Sequence, residues 1–517
     1  MDLAMVAQTA VLVQVSGPDP KQLKTGNHQF FIADNGTTTL SCSGWVLNKR
    51  QILTSAWVVA PFLRDQSGPH KEGELIFNTK ISCVGENGVS LPAKLVRVKH
   101  NGNLGNEWFD PRVRGVSQFD VAVLECDHDW PSVLEVGGVA LGKHKHRGMQ
   151  VQVVSSAFGL VYPKVFRNSI TKGVLCNILE RNSREEMYFT DARCAAGSEG
   201  GPVFAQGKFL GMVLPALQDR ALSQKLELAA ILPMRFCVDD DDGNGEQQQE
   251  EEGEHVLVSA SHSVALLRIG QNWGSGVLVQ VDSIKQIGYL LTCAHVVQGA
   301  TTVNVQFRRP YHLGGKEELC RRVGQVLFIS DGPVDIAVVA VYNLPSWVQS
   351  VEISSQDVEF GDDCSAIGFS IFEPSGAVGN WATISSGNVC RVVECEDGLA
   401  CMLQTCTPVF RGHSGGMLSC PQGKLLGIIT SNAKHSTGAI IPEINFAIPA
   451  SFLVQLIACI HDPQVWLEFN LVTKQSWMLK SIWALSPPPP STTEDTSLRQ
   501  ESSNFYHFFN RFRQSRL

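Results

Sequence analysis

The strings "TSAWVV" (residues 54–59) and "TCAHVV" (residues 292–297) lie in opposite halves of the chain and agree at four of six positions. Their main difference is the indole of Trp57, which stands where the later string has the imidazole of His295. Imidazole exchanges protons near neutral pH, and indole does not. The repeat indicates a duplicated unit in which only the second copy keeps a proton-transfer group.

Two further pairs of segments extend the duplication. "FDVAVL" and "VDIAVV" carry Asp120 and Asp335, and "GSEGGPVF" and "GHSGGML" carry Glu199 and Ser414. The aspartate and the later residue are 79 positions apart in both halves. This equal spacing favours two copies of one fold. The extra length that follows Trp57 is predicted to lie in surface loops, where insertions are tolerated.

Composition excludes several classes of partner. Hydrophobic residues make up 44% of the 517 residues and charged residues 18%, which is ordinary for a globular protein. The net charge of -8 argues against a general binder of nucleic acid or anionic membranes. The chain has no run of about 20 apolar residues of the kind that spans a bilayer. We therefore expect no nucleic-acid and no membrane partner.

The first residues and the cysteines bear on the compartment. The opening "MDLAMVAQTAVLVQV" lacks a basic region and alternates like a strand, so we expect no secretory signal. The fifteen cysteines are expected to be mostly free thiols. Cys390, Cys395, Cys401 and Cys406 cluster, but their spacings are loose and no histidine lies among them. Cysteines on β-strands are the favoured interpretation, and we expect no metal and no cofactor.

The chain is too long for one core, and its organisation follows from the repeat. We predict a first domain over 1–238 and a second over 255–470. Between them, "DDDDGNGEQQQEEEGE" (239–254) is acidic and cannot bury apolar surface, so it is predicted to be a solvated linker. The remainder, 471–517, is predicted to be a tail with a Pro-rich spacer, "SPPPPSTTEDTS".

Both halves are predicted to be built from strands. Segments such as "AVLVQV", "KFLGMVL", "GVLVQV" and "KLLGIIT" are short, apolar and bounded by turn residues. Many short strands at regular spacing indicate an all-β barrel or sandwich. A helix is expected mainly over 449–460, where Pro449 can open the first turn.

The second copy contains the three groups that serine-dependent peptide hydrolysis needs. A hydroxyl attacks, a base of near-neutral pKa takes its proton, and an acid orients that base. Ser414, His295 and Asp335 are the candidates for these catalytic roles. The glycines of "GHSGG" permit a tight turn in which the N–H groups of Gly412 and Ser414 can point at a developing oxyanion.

These segments together resemble the signature segments of the trypsin-like serine proteases. "NFAIP" and "TISSG" look most like the Deg/HtrA branch of that family. The resemblance covers residues 255–460 directly and 10–236 more weakly, through the duplication. It implies an all-β protein of two tandem trypsin-like double β-barrel domains, the first degenerate. It also implies serine endopeptidase activity in the second domain.

The chain departs from trypsin around the specificity pocket. Pro408 stands six residues before the nucleophile, where trypsin has an aspartate. Without a carboxylate, nothing offsets the desolvation of a basic P1 side chain, so we predict a neutral or small P1 residue rather than Arg or Lys. His413 replaces the aspartate that pairs with a newly cut amino terminus in secreted members, which puts activation by that ion pair in doubt. The pocket wall is expected to be formed by Ile429, Thr430 and Ser431.

The matching positions of the first copy are degenerate. Trp57 cannot act as a base and Glu199 offers no activated hydroxyl, so two of the three roles are lost. A carboxylate pair formed by Asp120 and Glu199 is an alternative with its own chemistry. The first domain could otherwise bind substrate, contact the second domain or mediate self-association, and the sequence leaves these alternatives open.

The last three residues, Ser515, Arg516 and Leu517, are a conservative form of the S-K-L peroxisomal address. We therefore expect the peroxisomal matrix as the location and the import receptor as a partner. Protease motifs, duplication and address together resemble the family of peroxisomal leader-peptide-processing proteases. That resemblance implies matrix proteins as substrates, with removal of amino-terminal presequences and processing of β-oxidation enzymes. A Deg-type quality-control protease and a protease-derived chaperone or scaffold are the alternatives.

Overall fold

A computed structural model describes most of the chain. The described residues are 8–20, 31–64, 74–85, 87–101, 104, 113–130, 145–181, 184–216, 228–238, 255–308, 319–370, 381–395, 398–434 and 440–485. The predicted linker 239–254 and the address at 515–517 lie outside them. The described residues divide into two compact units, the first ending at residue 238 and the second beginning at residue 255.

The first barrel of unit 1 is a closed antiparallel ring of six strands in the order β1-β5-β6-β7-β4-β3. Strand β1 pairs with both β3 and β5, which closes the ring, and β2 adds to the outer edge of β3. The strands are β1 (Ala10–Pro18), β2 (Phe31–Asp34), β3 (Thr37–Val46), β4 (Gln51–Ser55), β5 (Lys80–Val84), β6 (Ser90–Lys99) and β7 (Val121–Cys126).

The second barrel of unit 1 is closed in the order β10-β13-β12-β11-β8-β9. Its strands are β8 (Gln150–Ser155), β9 (Ser169–Arg181), β10 (Arg184–Thr190), β11 (Pro202–Ala205), β12 (Lys208–Val213) and β13 (Ala229–Pro233). Helices in this unit are short: α1 (Pro163–Phe166), α2 (Met234–Cys237) and the 3-10 turns Ala56–Val58 and Ala60–Phe62.

Unit 2 repeats this plan with two more closed six-stranded barrels, ordered β14-β15-β16-β19-β18-β17 and β20-β21-β22-β25-β24-β23. The first contains β14 (Val264–Ile269), β15 (Asn272–Asp282), β16 (Ile287–Thr292), β17 (Thr302–Arg308), β18 (Leu319–Ile329) and β19 (Ala337–Tyr342). The second contains β20 (Asp363–Gly368), β21 (Thr383–Glu394), β22 (Ala400–Thr405), β23 (Met417–Ser419), β24 (Leu425–Lys434) and β25 (Ile440–Pro449). The helices are α3 (Val256–Ser261), α4 (Ala294–Val297), α5 (Ala450–Ala458), α6 (Pro463–Gln475) and α7 (Trp477–Trp483).

The strands follow the two-residue period of their apolar side chains. In β17, Val303, Val305 and Phe307 point into the barrel core, and the polar residues between them face outward. A one-residue shift in pairing would turn this apolar set toward water, so the pattern fixes the register. The predicted all-β class, with two tandem double barrels, is therefore confirmed.

The predicted helix over 449–460 is confirmed as α5, which begins directly after Pro449. The sequence analysis does not predict the helices that follow it. Residue 470, where we predict the second domain to end, lies inside α6, and unit 2 continues through α7. We propose a second domain that extends to about residue 485.

Helix α6 has clear local signals and a buried face. Pro463 opens it, and the Asp462 side chain caps it by accepting the N–H of Gln464 at 2.9 Å. Trp466, Phe469 and Val472 belong to the large apolar core of unit 2. The spacing of these residues places them on one side of the helix, so α6 is held by the burial of a single apolar face.

The helices and the cysteines can be compared with the sequence predictions. Within the part of the chain that the structure describes, no helix combines the length and apolar character required to cross a membrane. All fifteen cysteines are free thiols, and eleven of them are buried.

Phe469→Ala tests the attachment of α6. Phe469 is fully buried and makes edge-on contacts with the rings of Phe452 and Trp466. Its removal should lower the unfolding free energy of unit 2 by about 3–5 kcal/mol because a cavity is left. Leu471→Ala on the same helix is the control, since Leu471 is 56% exposed. Denaturant unfolding measures both, and equal losses would contradict the assignment.

Candidate active site

His295 and Asp335 are brought together by different elements of one barrel. His295 lies on α4, immediately after β16, and Asp335 lies on the loop between β18 and β19. The His295 Nδ1 atom is 2.5 Å from Asp335 Oδ2, and the His295 backbone N–H donates to Asp335 Oδ1 at 3.0 Å. A carboxylate only accepts, so Nδ1 carries the proton and Nε2 of the neutral ring is left as an acceptor. The half-exposed imidazole thus has the tautomer of a general base.

Ser414 lies on a tight turn of the other barrel. Gly412 and Gly415 have φ angles of 96° and 80°, a region that favours glycine. A Cβ on Gly415 would lie 2.2 Å from the carbonyl oxygen of Ser275, so no larger residue fits there. The Ser414 hydroxyl donates to the carbonyl of Thr430 at 3.2 Å. Among the described residues, no acceptor takes the N–H of Gly412 or of Ser414.

Two hydrogen bonds tie this turn to the first barrel of unit 2, and a third ties the adjacent end of β20 to the same barrel. The Ser275 hydroxyl donates to the Gly412 carbonyl at 2.7 Å and accepts the N–H of Phe369 at 2.8 Å. The Ser275 N–H donates to the Ser414 carbonyl at 2.9 Å. The serine turn is therefore fixed against the barrel that carries His295 and Asp335. The sequence motifs assign no role to Ser275, although a Ser-Gly pair recurs as Ser43-Gly44 and Ser275-Gly276.

Cys293 lies directly behind the His295–Asp335 pair. Its buried thiol donates to the Ile429 carbonyl at 3.2 Å. Burial, and next the charge of Asp335, raise the pKa of Cys293 well above its usual value, so the thiol stays protonated. Potential ligand atoms of Cys293, His295 and Asp335 lie within 4.8 Å of one another. The short hydrogen bond between His295 and Asp335 already engages two of these groups.

The residues predicted to line a specificity pocket belong to the second barrel of unit 2 and to its loops. The Pro408 carbonyl accepts the Ser385 hydroxyl at 2.5 Å. Ile429 accepts the N–H of Gly415 at 2.8 Å, which places its strand beside the serine turn. Thr430 donates through its hydroxyl to the Phe446 carbonyl at 3.1 Å, and Ser431 is exposed. The Thr430 carbonyl also accepts the Ser414 hydroxyl at 3.2 Å, so this residue contacts the Ser414 side chain.

His413 is fully buried, a property that its replacement of the trypsin aspartate does not by itself predict. Its Nδ1 accepts the N–H of Phe410 at 2.8 Å, so the imidazole closes the turn from inside. Desolvation lowers the pKa of His413 from 6.5 to about 4. His413 is therefore neutral at physiological pH.

Unit 1 keeps the turn although it lacks the serine. Gly197 and Gly200 have the same φ angles as their counterparts in unit 2, 96° and 80°. The Ser43 hydroxyl donates to the Gly197 carbonyl and accepts the N–H of Ser156, both at 2.7 Å. The Ser43 N–H donates to the Glu199 carbonyl at 2.9 Å. These bonds repeat those of Ser275, so the backbone of the turn is preserved without the nucleophile.

The side chains of unit 1 fill the corresponding positions with different contacts. The Glu199 carboxylate accepts the N–H of Gly197 at 2.7 Å, the donor that corresponds to Gly412. Trp57 is buried. Asp120 is 1% exposed and is engaged by His100 Nδ1 at 2.8 Å and by the N–H of Asn101 at 2.8 Å. Asp120 and Glu199 therefore have separate partners, and His100 is a histidine that the sequence motifs do not reveal.

The comparisons with known proteins agree with this geometry. The trypsin-like peptidase domain matches residues 42–212 and 274–428. The chain belongs to the trypsin-like peptidase family, and both copies of the repeat carry its fold.

The chain is also similar to individual proteins of this family. The peroxisomal leader peptide-processing protease of Homo sapiens is 29% identical over 376 residues, which cover 66% of this chain and 61% of that protein. Its Mus musculus counterpart is 30% identical and covers 59% of this chain and 54% of that protein. The periplasmic pH-dependent serine endoprotease DegQ of Escherichia coli is 32% identical over 34% of this chain and 35% of its own. The chain thus spans less than two thirds of each relative.

His413→Asn tests the buried histidine. Below pH 6.5 the unfolded chain binds a proton that the folded chain rejects down to about pH 4. The stability of unit 2 should therefore fall by about 3 kcal/mol as the pH drops through this window, and His413 should add no pH dependence above it. An Asn side chain can still accept the Phe410 N–H but does not titrate. In His413→Asn, the loss of unfolding free energy as the pH drops through this window should therefore be smaller by about 3 kcal/mol than in the wild-type protein. An equal loss in both proteins would contradict the assignment.

Proposed function

We propose that this chain is a serine endopeptidase in which Ser414, His295 and Asp335 are the nucleophile, base and acid. The observation that carries the proposal is the 2.5 Å contact between His295 Nδ1 and Asp335 Oδ2, which leaves Nε2 as the proton acceptor. The Ser414 hydroxyl now donates to Thr430, so a rotation about its Cα–Cβ bond is needed to reach the imidazole. Family membership supports the same roles.

The reaction follows from these roles. His295 takes the Ser414 proton as the oxygen attacks a peptide carbonyl, and Asp335 stabilises the resulting imidazolium. The N–H groups of Gly412 and Ser414 donate to the oxyanion. The imidazolium then protonates the leaving amine, and water, activated by the same base, hydrolyses the acyl-enzyme. One oxyanion donor contributes about 3 kcal/mol to such a barrier.

We propose a neutral or small P1 residue. Pro408 supplies no charge at the pocket base, and the walls from Ile429, Thr430 and Ser431 are uncharged. A buried Arg or Lys at P1 would lose its hydration without gaining a partner. Selectivity therefore comes from the penalty on basic residues as well as from the fit of small ones.

We propose peroxisomal matrix proteins as the substrates and removal of amino-terminal presequences as the reaction. The support is the similarity to relatives named peroxisomal leader peptide-processing protease. Processing of β-oxidation enzymes belongs to the same proposal. The similarity to DegQ favours a second candidate, a protease that degrades unfolded protein at many sites.

Comparison of peptide ends in cells with the wild-type protein and with Ser414→Ala tests the function. Wild-type cells should contain new amino termini at single positions near the start of matrix proteins, following a neutral residue. These termini should disappear with Ser414→Ala, because loss of the nucleophile typically costs about a millionfold in turnover. Many cuts throughout unfolded proteins would favour the second candidate. Termini that persist in Ser414→Ala would refute the proposal.

The location has its own test. We expect a fluorescent protein fused ahead of the full chain to colocalise with a peroxisomal marker. Removal of residues 515–517 should leave the fusion in the cytosol, because the import receptor reads that tripeptide. A deletion of equal length upstream, 500–502, is the control. Unchanged peroxisomal signal after loss of 515–517 would exclude the tripeptide as the address.

A further inference from the structure

Helix α6 lies against the loop that carries Asp335. A Cβ on Gly332 of that loop would lie 3.2 Å from the Lys474 side chain and 3.5 Å from Asn470 Oδ1. The residues on either side of Asp335, Val334 and Ile336, are fully buried in the same apolar core as Phe469 and Val472. The loop and the helix therefore form one packed assembly within unit 2.

Asn470 binds the start of this loop with both ends of its amide. Its Oδ1 accepts the Ser330 hydroxyl at 3.1 Å and the Asp331 N–H at 3.3 Å. Its Nδ2 donates to Asp331 Oδ1 at 2.6 Å. A side chain with three such contacts fixes both the backbone and the carboxylate of residue 331.

Lys474 completes the contact one helical turn later. Its Nζ lies 2.6 Å from Asp331 Oδ2, so the two carboxylate oxygens are each held by a residue of α6. The bond from Lys474, and next that from Asn470, lower the pKa of Asp331 below its usual value. Residues four apart lie on one face of a helix, so Asn470 and Lys474 act together. We call this pair the α6 clamp.

The loop transmits the position of Asp331 to Asp335 through its own hydrogen bonds. The Ser330 N–H donates to the Ile336 carbonyl at 2.9 Å, which closes the base of the loop. The Gly332 N–H donates to the Ser330 hydroxyl at 3.2 Å. The residues that the α6 clamp holds are thus bonded to both sides of the segment that contains Asp335.

Unit 1 holds its aspartate in a different way. Asp120 is bound directly by His100 and Asn101, which follow β6. Two backbone carbonyls that follow β13 accept hydrogen bonds from this segment: Lys99 donates to Val238 at 2.8 Å and Asn101 to Phe236 at 3.3 Å. In unit 2 the side chains of Asn470 and Lys474 on α6 instead bind Asp331 of the loop that carries Asp335.

We propose that Asn470 and Lys474 are positioning residues for Asp335, acting through Asp331, so that α6 is part of the active-site support. This inference rests on the proposed serine endopeptidase function. An exposed ion pair contributes little to stability, so the clamp should act mainly on geometry. A misplacement of the acid by a fraction of an ångström misorients the imidazole and lowers the rate of the chemical step.

The test uses full-length protein with Asn470→Ala, Lys474→Met and the double variant. The substrate is a peptide whose cleavage by the wild-type protein is lost in Ser414→Ala. Each single variant should lower kcat about tenfold, with KM changed by less than about twofold, because substrate binding is not altered. The kcat of the double variant should lie within about twofold of that of the less active single variant, because both residues act on Asp331. Lys474→Arg should restore kcat to near the wild-type value.

Lys424→Met is the matched control. Lys424 pairs with Glu352 at 3.0 Å elsewhere in unit 2, and its side chain is 43% exposed, as is that of Lys474. The control should leave kcat unchanged, and melting temperatures should show that the clamp variants are folded. Clamp variants that match Lys424→Met in kcat, or that lose activity only in proportion to folded protein, would overturn the inference. A wild-type protein without Ser414-dependent cleavage would instead refute the proposed function.

Discussion

In each unit, one serine hydroxyl of the first barrel holds the turn of the second barrel in place. Ser275 and Ser43 each donate to a glycine carbonyl of the turn and accept an N–H from the strand end beside it, at 2.7–2.8 Å. The glycine after the central residue approaches the carbonyl of the same serine so closely that a Cβ would lie 2.2 Å away in both units. The turn therefore has one permitted backbone path, whatever side chain stands at its centre.

This constraint explains how one copy could lose its chemistry and keep its fold. The glycines and the hydroxyl are needed for packing, and the central side chain is not. In unit 2 that side chain is Ser414, and among the described residues no acceptor takes the N–H of Gly412. In unit 1 the Glu199 carboxylate accepts the equivalent N–H, so a side chain of the turn itself occupies that donor. The two units therefore differ in whether this donor has an acceptor within the turn.

The sequence predicts those parts of the molecule that depend on local pattern or on a matched pair of segments. The alternation in β17 and the cap of α5 are local signals, and the approach of Asp335 to His295 follows from a family resemblance. The partner of Asp120 is different, because His100 belongs to no repeated motif and meets the carboxylate only through the pairing of β6 with β7. Helix α6 carries a cap and an apolar face in its sequence, but its contact with the Asp335 loop joins residues about 140 positions apart. Contacts between residues so far apart depend on the topology of the fold, so no short stretch of sequence predicts them.

The place of α6 in the chain has a consequence for biosynthesis. A polypeptide leaves the ribosome from its amino end, and domains fold as their segments emerge. His295, Asp335 and Ser414 all emerge before residues 463–475, which cover the buried flanks of Asp335. The core that encloses Val334 and Ile336 cannot close until this helix arrives. A nascent chain thus presents these three side chains to its surroundings before α6 has packed, and the arrival of α6 sets the moment at which the loop of Asp335 becomes rigid.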